Sequence, residues 1–228
     1  MNFNGFQKLT LLDFPGKVAC TLFTAGCNFR CPFCHNAGLV TDIDNSTVFP
    51  EEQVLEFLEK RKGILEGVCI TGGEPLLQPD LTDFIRRVKA EGFCVKLDTN
   101  GSYPERLISL AEAGLLDYVA MDVKNCPEKY GATAGVKDFN MKPVNESIDY
   151  LLGGKIPFEF RTTVTAEHHT PQDIEAIARR ISGAPKYFLQ NFVNSGNCLD
   201  RSLTPVSNEM LEEMCNKASK YVPFTQIR

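Results

Sequence analysis

The sequence predicts an α/β fold, a partial (β/α)6 barrel of the TIM-like type that is open on one side. Three observations predict it. Short apolar runs alternate with amphipathic stretches of helical length, which is the pattern of repeated βα units around a parallel sheet. No Pro- or Ser-rich linker divides the 228 residues. A chain of this length can also bury a full core, so we expect a single domain over residues 1–228.

Six apolar runs are predicted to be the parallel strands. They cover residues 18–26, 67–73, 93–101, 115–125, 157–164 and 186–192. In barrels of parallel strands, the chemistry lies on the loops at the carboxyl ends of the strands. Those ends read FTAGC, TGGEP, DTNG, MDVK, RTTV and QNF. We therefore expect the functional residues to lie there.

Amphipathic stretches that follow these runs are predicted to be helices. They cover residues 50–63, 79–91, 104–114, 143–152, 171–182 and 207–220. Pro50 is followed by two acids, which suits a first helical turn. Gly92 lies just beyond the second helix, where glycine commonly ends one. Residues 126–140 are predicted to be the one long irregular connection.

Composition and charge exclude several classes of protein. The net charge of −5 does not favour the clustered basic surface that nucleic acid requires. The N-terminus lacks a basic region followed by an apolar one, and no run of about eighteen apolar residues occurs. We therefore expect a cytoplasmic protein that binds neither nucleic acid nor a membrane. Nine cysteines in such a chain indicate metal ligands, reactive thiols or buried hydrophobes rather than disulfides.

Three of the cysteines stand together in the loop after the first predicted strand. Cys27, Cys31 and Cys34 have the spacing C-x3-C-x2-C. A four-iron cluster usually takes four thiolates, so three would leave one iron open to a ligand, as a catalytic metal site does. A Cys3His zinc site that includes His35 is one alternative, although adjacent residues rarely aim both side chains at one tetrahedral centre. Three separate core cysteines are the other.

Glycines and charged residues follow the next three strands. The glycines of Gly72-Gly73-Glu74-Pro75 allow a backbone to approach a ligand closely, although the segment also suits an ordinary turn. Asp98-Thr99-Asn100-Gly101 has the composition of a turn. Asp98, Asp122 and Lys124 could together bind a zwitterion or a cation, and a structural ion pair is the alternative.

The last strands carry weaker signals. Arg161 lies within an apolar strand, where a buried guanidinium needs an anionic partner. Gln190 and Asn191 are candidates for contact with a nucleoside. His168 and His169 are predicted to lie in a polar loop, and Cys126 is a candidate exposed thiol. Cys20, Cys69 and Cys94 are predicted to be core residues, and no role is assigned to Cys198 or Cys215.

The segment CNFRCPFC, in which the aromatic Phe33 precedes the last cysteine, resembles the C-x3-C-x-aromatic-C signature of the radical S-adenosylmethionine (radical SAM) superfamily. The resemblance implies the radical SAM fold and one [4Fe-4S] cluster on Cys27, Cys31 and Cys34. It also implies that the open iron chelates the methionine part of SAM. One electron from the cluster would then cleave SAM to methionine and a 5′-deoxyadenosyl radical.

The resemblance extends to the other strand ends. Gly72, Gly73 and Glu74 look like the segment that binds the SAM amino group. DTNG and MDVK resemble segments of glycyl radical enzyme activating enzymes that lie beside SAM and can form a monovalent cation site. The resemblance thus implies that Asp98, Thr99 and Asp122 contact SAM or the ion. It also implies that Lys124 contacts the SAM carboxylate. If SAM binds here, its carboxylate and Glu74 are the two candidate partners of Arg161, and Gln190 is a candidate contact of the adenosine.

More than half of the chain is similar to the anaerobic ribonucleoside-triphosphate reductase activating proteins, within the glycyl radical enzyme activase group. This implies that the radical removes a glycine Cα hydrogen from a glycyl radical enzyme. Residues 35–68 contain no cysteine, so we expect no second cluster, and electrons from flavodoxin or ferredoxin. The alternatives are a small-molecule enzyme similar to the deazapurine carboxy-synthases, and a binding module with a structural metal.

Overall fold

The computed structural model describes residues 1–43 and 48–228, which form two compact units. The first unit contains Met1–Asn28, Gly38–Thr99 and Glu105–Val119, and the second contains Phe29–Ala37, Asn100–Pro104 and Ala120–Arg228. The prediction of one domain over residues 1–228 stays a prediction.

The first unit is built on a sheet whose inner strands are parallel. The strands of this unit are β1 (Asn2–Phe3), β2 (Gly5–Thr10), β3 (Ala19–Thr24), β4 (Phe49–Pro50), β5 (Gly67–Gly72) and β6 (Cys94–Thr99), of which β1 and β4 pair only with each other. β3 pairs with β5 and β5 with β6 in parallel, with Leu22 opposite Ile70 and Ile70 opposite Leu97. These three strands confirm the first three predicted runs.

Three helices follow these strands along the chain. They are α1 (Glu51–Glu59), α2 (Leu81–Ala90) and α3 (Pro104–Glu112). α2 buries Leu81, Phe84, Ile85 and Val88, whose spacing of three and four residues places them on one helical face. The ring of Phe84 packs edge to face on Phe3 at 4.8 Å. All three helices confirm their predicted segments.

The second unit repeats the strand and helix alternation. Its elements are β7 (Tyr118–Asp122), α4 (Pro127–Ala134), α5 (Lys142–Leu152), β8 (Phe158–Val164), α6 (Pro171–Arg180), β9 (Tyr187–Asn191), α7 (Asn208–Ala218) and β10 (Thr225–Ile227), and β7 begins in residues of the first unit. β8 pairs with β9 and β9 with β10 in parallel. β7, β8 and β9 confirm the last three predicted strands.

Residues 126–140 were wrongly predicted to be an irregular connection, because part of this segment is the helix α4. Pro127 stands in its first turn, where the missing N–H and fixed φ of proline do no harm. Gly135 ends the helix with φ of +65°, a left-handed conformation that suits glycine. Gly131 in the middle lowers the helix propensity, which hides the helix from its pattern alone.

Two edge strands were also missing from the prediction. β2 pairs antiparallel with β3, and three of its six residues are exposed. β10 has three residues, two of them exposed. Strands this short or this exposed lack the apolar run that identifies a buried strand.

Candidate functional site

The loop after β3 begins in the first unit, where main-chain hydrogen bonds hold the residue before Cys27. The Gly26 N–H donates to the Leu39 carbonyl at 2.7 Å, and the Gly26 carbonyl accepts from the Glu74 N–H at 2.8 Å. Cys27 is half-buried and carries a reduced thiol. The start of the cysteine loop is thus tied to the loop after β5.

Gly72 and Gly73 are required by the chain's own backbone. A Cβ on Gly72 would lie 2.4 Å from the Thr24 carbonyl oxygen, and one on Gly73 would lie 2.0 Å from that of Gly26. Real Cβ atoms do not approach oxygen this closely, so only glycine fits at either position. The sequence analysis expected close approach to a ligand at this point, and the structure shows close approach of two loops of the protein.

Glu74 is fully buried, and its carboxylate holds the turn that follows it. Oε1 accepts from the Leu76 N–H at 3.0 Å and from the Thr99 hydroxyl at 2.9 Å. The Arg106 side chain donates to the carbonyls of Leu76 and Gln78. Two predicted site residues, Glu74 and Thr99, are therefore brought together at the ends of β5 and β6.

Asp98 forms an ion pair that the sequence analysis did not identify. Its Oδ1 contacts the ammonium of Lys96, which is 2% exposed. Residues two apart in a strand face the same side, which places both side chains together on β6. Cys69 of β5 lies beside them, with its Sγ 3.7 Å from Lys96 Nζ. A cation of the chain therefore stands where the resemblance implied SAM or a monovalent ion.

Cys31 and Cys34 lie in the second unit, in a turn closed by the Cys34 N–H and the Cys31 carbonyl at 3.0 Å. The end of α4 supports this turn, since the Ala134 carbonyl accepts from the Arg30 N–H at 2.8 Å. A Cβ on Gly135 would lie 2.0 Å from the Arg30 carbonyl oxygen. Burial raises the pKa of the Cys34 thiol, and the nearby Lys124 charge partly opposes this shift.

Asp122, Lys124 and Arg161 form a second ionic group, and all three were predicted site residues. Asp122 accepts from Lys124 Nζ at 3.0 Å and from Arg161 Nε at 2.9 Å. Burial disfavours the Asp122 charge, but the two cations outweigh it and hold the pKa of Asp122 below its usual value. Burial likewise opposes the Lys124 charge, yet Asp122 raises the pKa of Lys124 above its usual value. Counted by themselves, these three side chains carry one more positive than negative charge.

His169 lies in the predicted loop between β8 and α6, but its side chain is buried, which was not predicted. Its Nδ1 accepts from the Thr165 N–H at 3.2 Å, so Nε2 carries the proton and donates to the Lys124 carbonyl at 2.9 Å. Burial lowers the pKa of His169 to about 4. His169 thus fixes the main chain of Lys124. The start of a helix at Thr170-Pro171 was readable, but not which of the two histidines is buried.

Asn125 is a second supporting residue that sequence reasoning missed. It is 1% exposed, and its amide donates to Thr133 Oγ1 and to the His168 carbonyl, both at 2.9 Å. Its Oδ1 accepts from the Cys126 N–H at 2.8 Å. The turn between β7 and α4 is therefore held from both sides. An asparagine after a strand signals a turn, but its buried partners depend on the tertiary structure.

Three other residues that were singled out in the sequence are Cys126, Asn191 and Gln190. Cys126 is not an exposed thiol, because it is 4% exposed and its Sγ donates to Asp173 at 3.4 Å. Burial raises its pKa to about 11. The Asn191 side chain exchanges hydrogen bonds with the Val206 main chain, so its amide supports a loop. Gln190 is half-buried at the end of β9.

The described residues lack two features, a site for a single metal ion and a membrane-spanning helix. No three or more His, Cys, Asp or Glu side chains there are arranged to hold a single metal ion. A four-iron cluster is held differently, because its thiolates bind different irons. Within the same residues, no helix is long and apolar enough to cross a membrane.

The family model of the radical SAM superfamily matches residues 21–181 of this chain. The match includes the cysteine loop, the ends of β5, β6, β7 and β8, and six of the seven α-helices found in the described residues. The chain belongs to the radical SAM superfamily.

Individual relatives narrow this class. A Methanocaldococcus jannaschii protein, named provisionally as a glycyl-radical enzyme activating enzyme, is 31% identical over 236 residues, covering 99% of this chain and 95% of that protein. The pyruvate formate-lyase-activating enzyme of Listeria monocytogenes is 30% identical over 195 residues, covering 78% of this chain and 75% of the enzyme. The crystal structure of a domain of the pyruvate-formate lyase-activating enzyme from Bacteroides vulgatus is similar with a TM-score of 0.59 at 18% identity, covering 71% of this chain and 98% of that domain.

These similarities confirm the predicted class of fold and of chemistry. The chain has the α/β, partial (β/α)6 barrel of the radical SAM fold. It is a radical SAM enzyme of the oxidoreductase type, and the family uses a [4Fe-4S] cluster and SAM. The monovalent cation and the residues that hold the cofactors stay predictions.

Proposed function

We propose that this chain activates a glycyl radical enzyme by removing a hydrogen atom from a glycine Cα of that partner. The observation that carries the proposal is the match to the Methanocaldococcus jannaschii relative over 99% of this chain and 95% of that protein. The similarity therefore extends beyond the cofactor motif to nearly the whole of both chains. A match confined to the cysteine loop would leave the substrate class open.

The residues of the cysteine loop fit a [4Fe-4S] cluster. Cys27, Cys31 and Cys34 are reduced thiols, the soft ligands that iron–sulfur clusters take. The loop that carries them is held at Gly26 and at Arg30 by main-chain hydrogen bonds. When bound, the reduced cluster and SAM supply a 5′-deoxyadenosyl radical that removes hydrogen from the substrate. The protein's part is to hold these groups and exclude water from them.

The excess positive charge of Asp122, Lys124 and Arg161 supports a SAM site at the end of β7. A carboxylate beside two cations that share one counter-charge makes charge-assisted hydrogen bonds. We assign the SAM carboxylate to Lys124 and Arg161, and Asp122 holds both cations in place. His169 donates to the Lys124 carbonyl, and Asn125 holds the turn that follows Lys124.

The loop after β5 supports the other end of methionine. Glu74 is engaged by the Leu76 N–H and the Thr99 hydroxyl, so its side chain holds the turn. We assign the SAM amino group to the main chain of Gly72 and Gly73. Gln190, half-buried at the end of β9, is assigned to the adenosine.

The partner proposed here is an anaerobic ribonucleotide reductase or a relative of it. The resemblance of GFQKLTLLDFPGK and the cysteine loop to reductase activating proteins supports this choice. Flavodoxin or ferredoxin is the proposed electron donor, since no cysteine stands between residues 35 and 68 to hold a second cluster. The chain is expected to act in the cytoplasm.

The test is a glycine-centred paramagnetic signal on the candidate reductase. The chain is loaded with iron and sulfide without oxygen and mixed with SAM, a reductant and the reductase. We expect the glycyl radical, with methionine and 5′-deoxyadenosine as products. Cys31→Ala should abolish the signal, and Cys215→Ala, a half-buried cysteine on α7, should not.

Two results would contradict the proposal. Cleavage of SAM with no glycyl radical on any candidate partner would favour the small-molecule enzyme. Uptake of zinc without SAM cleavage would favour the binding module. A radical on a different glycyl radical enzyme would keep the activase function and change only the partner.

A further inference from the structure

Tyr130 on α4 has a buried hydroxyl without a partner. The side chain is fully buried, and its hydroxyl makes no hydrogen bond to any of the described residues. Buried phenols usually reach an acceptor, and an unpaired buried polar group costs about 1–3 kcal/mol. Tyr187 is just as buried, yet its hydroxyl lies 2.8 Å from Thr162 Oγ1. Tyr130 therefore lacks an acceptor that a similar tyrosine of the same unit has.

The packing of Tyr130 places it against the cysteine loop. Its ring stacks on Phe139 at 4.8 Å, and Phe139 packs edge to face on Phe29 at 5.5 Å. One turn further along α4, the Ala134 carbonyl lies 3.9 Å from Cys31 Sγ. The end of α4 that follows Tyr130 therefore lies beside Cys31, and Phe139 connects the Tyr130 ring to Phe29 of the cysteine loop.

The electrostatics of the hydroxyl agree with this placement. Burial raises the pKa of Tyr130 well above its usual value, the Lys124 charge lowers it, and a Cys31 thiolate raises it again. The phenol therefore stays protonated, and its O–H group needs a hydrogen-bond acceptor. The Lys124 main chain also lowers the pKa of Tyr130, but the distance and angle between it and the Tyr130 hydroxyl are not those of a hydrogen bond.

We propose that the Tyr130 hydroxyl donates a hydrogen bond to the Cys31 sulfur, or to the adjacent sulfide, when the [4Fe-4S] cluster is bound. The proposal rests on the assignment of the cluster to the cysteine loop. Hydrogen bonds to the sulfurs of such a cluster set its reduction potential. A donor favours the reduced state, because that state carries more negative charge. Tyr130 is thus a positioning residue that makes the cluster easier to reduce.

The test compares Tyr130→Phe with Tyr187→Phe. Both changes remove one buried hydroxyl and keep the ring, but only Tyr187 loses a hydrogen bond within the protein. In the cluster-loaded chain, Tyr130→Phe should make the midpoint potential more negative, measured by redox titration of the paramagnetic signal. At a fixed potential we expect the reduced-to-oxidised ratio to fall about tenfold, equivalent to about 59 mV for one electron. Tyr187→Phe should leave the potential unchanged.

The cluster-free chain gives the second measurement. There Tyr130→Phe should unfold at the same temperature as the wild type or higher, because its hydroxyl has no partner to lose. Tyr187→Phe should unfold at a lower temperature. A loaded Tyr130→Phe chain with the wild-type potential would overturn the proposal and leave the cluster assignment intact, and so would a cluster-free Tyr130→Phe chain as destabilised as Tyr187→Phe. A wild-type chain that forms no cluster would overturn both.

Discussion

The two ionic groups at the strand ends differ in their balance of charge. On β6, one cation, Lys96, faces one carboxylate, Asp98, and the lysine is 2% exposed. At the end of β7, Lys124 and Arg161 share the single carboxylate of Asp122. The first pair is neutral, and the second group keeps one positive charge in excess. The comparison teaches that charged residues of similar sequence context can form a one-to-one pair in one place and a group of unequal charges in another.

The largest expected effect breaks the neutral pair. Lys96→Met should lower the free energy of unfolding by about 4 kcal/mol, because it removes the buried ammonium that contacts the half-buried Asp98 carboxylate. Denaturant unfolding measures the loss. Lys62→Met is the control, since the Lys62–Glu91 pair is exposed and such pairs contribute at most about 1 kcal/mol. Equal losses in the two variants would show that Lys96 is no more important than a surface lysine.

The next effect concerns the group with excess charge. Lys124→Met makes that group neutral, so we expect SAM cleavage by the loaded enzyme to fall roughly 100-fold, the value of one charge-assisted hydrogen bond. Release of methionine and 5′-deoxyadenosine measures it. Lys129→Met, which removes a more exposed lysine paired with Asp173, should cleave SAM at the wild-type rate. An unchanged rate in Lys124→Met would remove Lys124 from the SAM site.

A smaller effect tests the support beneath Lys124. The pKa of His169 is about 4 in the folded chain against 6.5 for a free side chain. The unfolded chain therefore binds a proton between these pH values when the folded chain does not, so stability falls as the pH drops through this window. From pH 6.5 to 5 the loss is about 1.5 kcal/mol.

The variant His169→Gln isolates this contribution, because glutamine can still donate to the Lys124 carbonyl but does not titrate. Its unfolding free energy should change less with pH than that of the wild type over the same window. His168→Gln, at the neighbouring half-buried position, serves as the control and should follow the wild type. Parallel curves for the wild type and His169→Gln would show that His169 titrates normally in the folded chain.

The last prediction is that monovalent cations do not change the rate of SAM cleavage. The Lys96 ammonium already supplies a positive charge beside Asp98, so the rate of SAM cleavage should not change when sodium or potassium replaces a bulky organic cation in the buffer. A rate that rises with potassium would instead support the monovalent cation site that the resemblance implied at Asp98 and Asp122.

Much of the fold was readable because the strands and helices have strong local patterns. ACTLFT of β3 and VAM of β7 are apolar runs, and the buried positions of α2 repeat every three or four residues. The helix α4 was missed, because Gly131 weakens its helix propensity. The glycine is needed for close packing with residues outside the helix, since a Cβ on Gly131 would lie 2.9 Å from the Val136 carbonyl oxygen.

The candidate site was predicted residue by residue but not contact by contact. Asp122, Lys124 and Arg161 were each selected from the sequence, and the structure shows that they share one ionic group. Lys96, Asn125 and His169 were not selected. Each of the three lies within or beside an element that looks ordinary in sequence. Asn125 and His169 acquire their roles from partners elsewhere in the chain, and Lys96 acquires its role from its burial beside Asp98.

The sequence by itself determined the chemistry of this protein, because the spacing of three cysteines and the order of the strand-end motifs are local properties of the chain. Only the tertiary structure decided which charges neutralise each other, which histidine is buried and which tyrosine lacks an acceptor. The physical reason is that burial depends on residues far apart in sequence, and so does the pairing of Arg161 with Asp122. Burial and pairing change the cost of a charge or an unpaired hydroxyl by several kcal/mol.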